Sequence, residues 1–359
     1  MKVGIVGAGG MAGYHYDGFV RAGAEVVAMA DTDLKRAEAF GKSRGITRFY
    51  PSLTEMIAGE PGLDAVSIIT PNKFHKPLVI EALNKGKHVY CEKPPALNAS
   101  EMAEMAEAAK KSGKHLIFDL NNRARPESQA MIRFIREGIV GKINSAQAYW
   151  IRRTGIPGFG SWFTNKAVSG GGALLDLPHM LDLAMYFMGY PEPDQVLGSV
   201  FYDFMDNRYY KGPWGMPDVA GGVTDVESSI HAMVTFKTGQ CLMVRSSWAE
   251  MNEREIVSVT FQGQKAGGMV ERLFERDGLD DTSIDRCLLF REEFGHQTDL
   301  KVKIEKDESM GRINMAVNFI EAIEGKAAPY NTPHEALILM KVIDGIYASA
   351  ETKQAVKIT

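Results

Sequence analysis

Hydrophobic and polar positions follow two different rhythms along the chain. Over the first 120 residues, short apolar runs read as strands at Val3–Val6, Glu25–Ala30, Ala65–Ile69, His88–Cys91 and His115–Phe118. Helical patterns lie between them, over 34–43 and most clearly over Asn98–Lys111. There Ala and Met recur at i, i+3 and i+4, and Gly113 stands at the expected stop. Ser52-Leu-Thr-Glu55 has the spacing of a capping box. Strands alternating with helices predict a parallel sheet with crossover helices.

Beyond about residue 123 the rhythm changes. Helices are expected over 127–137 and 175–188, with a strand over 144–152 between them. Longer alternating segments follow at Gln195–Phe201, Glu227–Phe236, Gln240–Trp248 and Ile256–Phe261, and Lys237-Thr-Gly239 has the look of a hairpin turn. Consecutive strands without intervening helices point to a mainly antiparallel sheet. Two final helices are expected near 312–324 and 333–349. The stretch 203–225 shows no period and is rich in Gly, Pro and aromatics, which marks a functional loop, an oligomer arm or a mobile segment. The pattern therefore predicts an α/β chain of two domains, 1–122 with a parallel sheet and 123–359 with a predominantly antiparallel, open sheet.

The chain's 359 residues agree with two cores rather than one. A formal net charge of −4 gives no electrostatic reason to expect nucleic acid or an anionic membrane as a partner. The three cysteines, Cys91, Cys241 and Cys287, are scattered and form no CxxC pair, which suits a reducing compartment and argues against a cysteine-built metal site. The first apolar strand begins at residue 3, and no run approaches the roughly 18–20 apolar residues of a membrane span. A cytoplasmic protein is expected.

Strand Val3–Val6 runs into Gly7-Ala-Gly9-Gly10-Met11-Ala12, a GxGxxA pattern. Gly7 permits a tight turn, Gly9 lets backbone approach a pyrophosphate, and Ala12 lets the new helix pack closely on the sheet. Phosphates then sit at that helix's N-terminus, where free N–H groups and the dipole favour anions. Asp31 closes the second strand, 22 residues after Gly9, where a carboxylate accepts from ribose hydroxyls and repels a 2′-phosphate. NAD is favoured over NADP, although Lys35 and Arg36 partly offset the repulsion. The bland alternative makes Asp31 a cap for the loop before helix 34–43.

Three further segments carry a family resemblance. Gly86-Lys-His-Val-Tyr-Cys-Glu92-Lys93-Pro94 resembles the EKP signature of the Gfo/Idh/MocA oxidoreductases, roughly 60 residues beyond the ribose-binding acid. Thr70-Pro71-Asn72, followed by His75, is similar to that family's loop over the nicotinamide ribose. Gly170-Gly-Gly-Ala-Leu-Leu-Asp176 with His179-Met-Leu-Asp182 resembles its second-domain helix. The likeness covers essentially the whole chain. It implies a Rossmann domain followed by an open-sheet α/β domain, with substrate held between them. One departure stands out: the family commonly spaces this Asp and His four apart, whereas Asp176 and His179 are three apart. Both spacings share a helix face, and Pro178 suits a first turn.

The resemblance implies cofactor contacts from Gly7, Gly9, Gly10, Met11, Ala12, Asp31, Thr70, Pro71, Asn72, His75, Glu92 and Lys93, with His75 also readable as packing behind the loop. Alcohol oxidation needs a base at the hydroxyl, and His179 is expected as the principal acid/base. Lys93 would stabilise the developing alkoxide, and Asp176 would orient Lys93 or accept a neighbouring hydroxyl. Asp182 is readable either as a ligand contact or as a buried hydrogen-bonding residue. Asn121, Asn122 and Arg123 follow the last parallel strand, at the edge where such sheets bind ligands. Arg152, Trp162 and Asn165 lie in polar loops beside the 175–188 helix, where stacking and several donors suit a polyhydroxylated ligand; the alternative is a plain connecting loop.

The expected activity is NAD-dependent hydride transfer at a ring hydroxyl or ketone of a sugar, glycoside or polyol, with C3 of a hexoside as the site. Inositol dehydrogenase and 3-keto-sugar reductase are the neighbouring readings. An NAD-binding regulator without turnover and an NAD-assisted glycoside-cleaving enzyme are the readings from other classes. No metal-ligand cluster stands out. A homo-oligomer, dimer or tetramer, is expected if one sheet face lacks helical cover.

Overall fold

The computed structural model describes residues 1–274 and 284–358, and they divide into two compact units, Met1–Ala124 with Asp307–Leu337, and Arg125–Lys306 with Ile338–Thr359. In chain order the first unit contains β1 (Lys2–Val6), α1 (Ala12–Arg21), β2 (Glu25–Ala30), α2 (Leu34–Lys42), β3 (Phe49–Tyr50), α3 (Leu53–Gly59), β4 (Ala65–Ile68), α4 (His75–Asn84), β5 (His88–Cys91), α5 (Ala99–Ser112) and β6 (Leu116–Phe118). Its six strands are all parallel, in the order β3-β2-β1-β4-β5-β6. That is the strand order of dinucleotide-binding sheets, whose chain reversal beside the first strand opens a crevice at the carboxyl edge. The caps follow local chemistry. Asn98 accepts from Glu101 N at the start of α5, Gly113 closes it at φ 64°, and Ser52 caps α3 as the capping-box spacing predicts.

The second unit contains α6 (Pro126–Arg136), β7 (Ile143–Ile151), α7 (Lys166–Ser169), α8 (Ala173–Asp176), α9 (His179–Phe187), β8 (Pro193–Phe201), β9 (Ser229–Phe236), β10 (Cys241–Ser247), β11 (Ile256–Gly263), β12 (Ala266–Leu273), β13 (Ile284–Glu293) and β14 (His296–Lys301). α10 (Arg312–Ile323), α11 (Pro333–Thr352) and β15 (Val356–Lys357) complete the chain. Its sheet runs β14-β13-β12-β11-β7-β10-β9-β8-β15, antiparallel except for the β7–β10 pair. One face is buried, with Val234, Val244, Ala148 and Val259 in it, and α6, α8 and α9 pack on its strands. On the opposite face Leu197, Met233 and Met243 lie in one cross-strand row and are exposed.

Three expectations change. Residues 307–337 belong to the first unit, not the second. α10 packs on α1, Asn331 bonds both the N–H and the carbonyl of Phe118, and Arg123 donates to Tyr330 O and Glu335. The expected helix over 175–188 is two helices, because Leu177 leaves helical geometry and Pro178 caps the second. Strands β12 to β14 went unread, since Gly267-Gly268 and runs of charge mask their alternation. The 203–225 stretch is ordered against 156–160: Phe159 N donates to Asp218, Gly160 N to Thr224, and Lys211 pairs with Asp218 at 2.8 Å.

The tightest approach in the first unit is α1 against α10. A Cβ on Gly18 would lie 2.5 Å from Ala316 Cβ and 3.0 Å from Ile313 O. Gly18→Val should therefore destabilise by about 1–3 kcal/mol or more in urea unfolding. Gly62→Ala, where a Cβ meets nothing within 4 Å, should stay within about 0.5 kcal/mol or gain. Equal midpoints for the two variants would contradict this packing.

Candidate active site

Parallel register decides which residues meet. Val6 is level with Ala30 and Ile68, Ile68 with Cys91, and Cys91 with Phe118. The next residue on each strand, Gly7, Asp31, Ile69, Glu92 and Asp119, therefore emerges at one carboxyl edge. Backbone bonds carry the ladder one step further, from Gly7 N to Ala30 O at 2.8 Å, Glu92 N to Ile68 O at 3.0 Å and Asp119 N to Cys91 O at 2.8 Å. Five scattered sequence positions become neighbours through register alone.

The glycine turn separates into two jobs. Gly7 has φ 99°, and a Cβ there would sit 2.3 Å from Ile69 O, so the chain itself demands glycine. A Cβ on Gly10 would meet nothing within 4 Å, and one on Gly9 only ordinary contacts; internal packing does not require glycine at either position. α1 starts at Met11 with no side-chain cap and no acid in its first turn. Open backbone before an uncapped ten-residue helix fits a pyrophosphate. Asp31 accepts from Ala8 N and Asp33 N, each at 2.8 Å, which fixes its carboxylate beside the turn while Asp33 caps α2. Ala12 is fully buried at the start of the helix.

Behind the turn lies a buried charge cluster of which Glu92 alone was an expected site residue. His15, one turn into α1, places Nε2 3.0 Å from Glu92 Oε1 and 3.4 Å from Asp119 Oδ2, and Nδ1 2.7 Å from Ser67 Oγ. Burial opposes charge on this ring, but the hydrogen bonds and charges of Asp119 and Glu92 outweigh it and push its pKa up to about 9. The His15 partnership in turn holds the Glu92 carboxyl below its ordinary range against burial, while burial and Glu92 push Asp119 up. Glu92 Oε2 accepts from Lys93 N at 3.2 Å, and the Lys93–Pro94 peptide is cis. His75, fully buried, lies 2.9 Å from both Pro94 O and Thr70 O, and so joins the EKP loop to the Thr70-Pro71-Asn72 loop.

In the second unit Asp176 ends α8 and His179 begins α9, both nearly buried. Trp248 Nε1 donates to Asp176 Oδ2 at 2.8 Å, and the Trp150 ring lies 5.6 Å from the His179 ring. Buried Glu227 accepts from Gly172 N, Leu174 N and the Tyr347 hydroxyl, which fixes the entry to α8. Arg152 lies 3.4 Å from Glu255, with its guanidinium over Trp214 at 4.2 Å and Trp150 at 5.3 Å.

Other expected contact residues make bonds within the fold. Arg123 is fully buried in its bonds to Tyr330 and Glu335, and Asn121 donates to Met310 O at 2.6 Å. Asp182 is fully buried and accepts from Tyr190 at 2.5 Å. Asn165 caps α7, and Trp162 stacks on Phe163 at 3.8 Å. A cavity of about 680 Å³ lies along α5 and residues 329–337, lined by none of the expected cofactor residues. The signal for His15 was the spacing Ala12, His15, Phe19, which puts the ring on the buried face of α1. Nothing local marked Trp248 or Glu227, whose partners are 72 and 55 or 53 positions away.

Comparison with known proteins settles the family. Residues 1–120 match the family model described as an oxidoreductase family NAD-binding Rossmann fold, and residues 132–358 match that family's C-terminal alpha/beta domain. The chain belongs to the Gfo/Idh/MocA oxidoreductases. Its first unit is an NAD-binding Rossmann domain, and this member is 31% identical to D-glucoside 3-dehydrogenase of Escherichia coli (strain K12), over all of this chain and 97% of that one. It is 26% identical to 1,5-anhydro-D-fructose reductase of Ensifer adhaerens, over 99% and 98% of the two chains. Levoglucosan dehydrogenase in complex with NADH and levoglucosan shares the fold at TM-score 0.83 and 20% identity, over 100% and 99% of the chains. Among the described residues no helix is long and apolar enough to cross a membrane.

The His15 cluster sets a pH dependence of stability. Folded His15 titrates near 9 and an unfolded histidine near 6.5, so its contribution is complete below about 6.5 and is lost as pH rises through about 9. Urea midpoints should fall across that window, with a slope of up to about 1.4 kcal/mol per pH unit. A flat profile between pH 6.5 and 9 would contradict a charged His15.

Proposed function

We propose that the protein is an NAD-dependent dehydrogenase that oxidises a ring hydroxyl of a glycoside or related sugar, at C3 of a hexoside. The observation that carries this is the placement of Lys93 directly after Glu92, at the sheet edge that holds the glycine turn, in a chain aligned end to end with a D-glucoside 3-dehydrogenase. The bound nicotinamide supplies the acceptor for the hydride. The chain's own groups manage the oxygen: Lys93 stabilises the developing alkoxide, His179 takes the hydroxyl proton, and Asp176, held by Trp248, accepts from a neighbouring substrate hydroxyl. The partly buried Trp214–Arg152 stack, with Glu255 beside the guanidinium, supports the reading by offering a flat face and donors of the kind a pyranose uses. The likeness to 1,5-anhydro-D-fructose reductase favours one second reading, ketone reduction by the same groups run backwards.

Further parts of the proposal follow from charge and exposure. The fixed negative charge of Asp31 favours NAD over NADP. Three free cysteines support a cytoplasmic setting. The exposed row of Leu197, Met233 and Met243 supports pairing of two copies through the open sheet face.

Two measurements test this reading. A panel of alkyl glucosides, inositols and free sugars is screened for NADH formation, with Lys93→Ala and His179→Ala beside the wild type. A glycoside should lead, and each variant should lose about 10²–10⁴ in kcat; near-normal turnover in both would overturn the assignment. Asp31→Ser should raise NADP+ use relative to NAD+ by at least about tenfold in kcat/KM. An unchanged cofactor ratio would remove Asp31 from the ribose site.

A further inference from the structure

We propose that His15 is a positioning residue for the reaction: its doubly protonated ring, enclosed between Glu92 and Asp119, keeps the Glu92 carboxylate charged and aimed at the Lys93 segment. The inference rests on the role of Lys93 given above. Every polar partner fits a doubly protonated ring. Nε2 faces two carboxylate oxygens at 3.0 and 3.4 Å, and Nδ1 faces the Ser67 hydroxyl at 2.7 Å. The three ligand atoms lie within 4.8 Å of one another, a spacing a metal ion also accepts; the ring meets one oxygen of each carboxylate, and Asp119 Oδ1 stays buried without a hydrogen-bond partner.

The surroundings make this ring the cation that decides the charge of Glu92. His15, Tyr90 and Ser67 are fully buried, and Glu92 and Asp119 nearly so. The Tyr90 ring packs 4.7 Å from His15, with its phenol beside Asp119, and Phe19 closes the other side. Tyr90 and Cys91 are both held neutral, first by burial and then by the nearby carboxylates. Lys93 also favours the charged form of Glu92, whereas burial pushes His75 toward its neutral form. Without His15, two carboxylates would share a water-poor space, and burial plus repulsion would draw in a proton near neutral pH. The pair would then share that proton, and the negative charge facing Lys93 would fall.

The test compares His15→Gln, Asp119→Asn and the His15→Gln/Asp119→Asn double variant. In the single His15 variant kcat should drop roughly 10–100-fold, with the NADH dissociation constant changed less than about threefold. The acid limb of its kcat profile should move up by at least about one pH unit. The double variant removes one of the two crowded charges, so the limb should return and kcat should recover at least about tenfold over His15→Gln. An unmoved limb, or a double variant worse than the single, would overturn the proposal, because a purely structural role gives additive losses. Carbon-13 NMR of the Glu92 carboxyl, assigned by its absence in Glu92→Gln, reads the same charge without turnover. If no sugar reduces NAD+, the proposed reaction fails while this readout still decides the inference. The Glu92 resonance should show a titration at higher pH in His15→Gln than in the wild type, as the pair takes up a shared proton; identical titrations would overturn it.

Discussion

A cation sealed between two carboxylates is the constraint on which the first domain's working edge depends. Removing three ionisable groups from water is costly, and the cost is offset only where geometry lets each charge meet its partner. Here register supplies that geometry. Glu92 and Asp119 each stand one residue past a level row of parallel strands, and α1 brings His15 over them from the helix that follows the glycine turn. The same contact thus ties the glycine turn, the end of β5 and the end of β6 into one body. A shift of register by one residue would move Glu92 to the other face of the sheet, and with it the segment that carries Lys93.

The second domain reaches similar fixation by other means. Asp176 and His179 sit on two short helices rather than one, so helix periodicity does not hold them together. Trp248 anchors Asp176 by its indole N–H, Glu227 satisfies the backbone entering α8, and Trp150 packs beside His179. Fully buried Trp248 spends its one donor on the Asp176 carboxylate. Glu92 holds the backbone of Lys93 and Trp248 holds the Asp176 carboxylate, restraints of the kind preorganised catalysis requires.

Most strands and helices were legible because burial imposes period 2 or 3.6 on the sequence, and the glycine turn because a tight φ excludes other residues. Lys93 was legible only through its motif, since a lysine before proline carries no local mark of function. The Asp176–His179 break was misread because apolar residues on both sides extend a helical pattern across Leu177-Pro178. Strand β12 escaped because Gly268 replaces an alternating side chain; a Cβ there would strike the Phe261 ring at 2.3 Å, so an aromatic on the partner strand fills its place. The packing of 307–337 within the first unit was illegible for a different reason. Asn331 meets Phe118 across 213 positions, and no local period records so distant a bond. Arg123 and Asn121 show the converse: polar residues at the carboxyl edge whose bonds to Tyr330, Glu335 and Met310 carried no local signal.

Hydride transfer from one ring carbon is the central chemical claim, and isotope transfer tests it most directly. A methyl glucoside carrying deuterium only at C3 is incubated with the protein and NAD+, and the reduced cofactor is analysed by mass. The account predicts one deuterium in each reduced nicotinamide and a 3-keto product. Reduced cofactor without deuterium, or deuterium retained in the sugar, would contradict it.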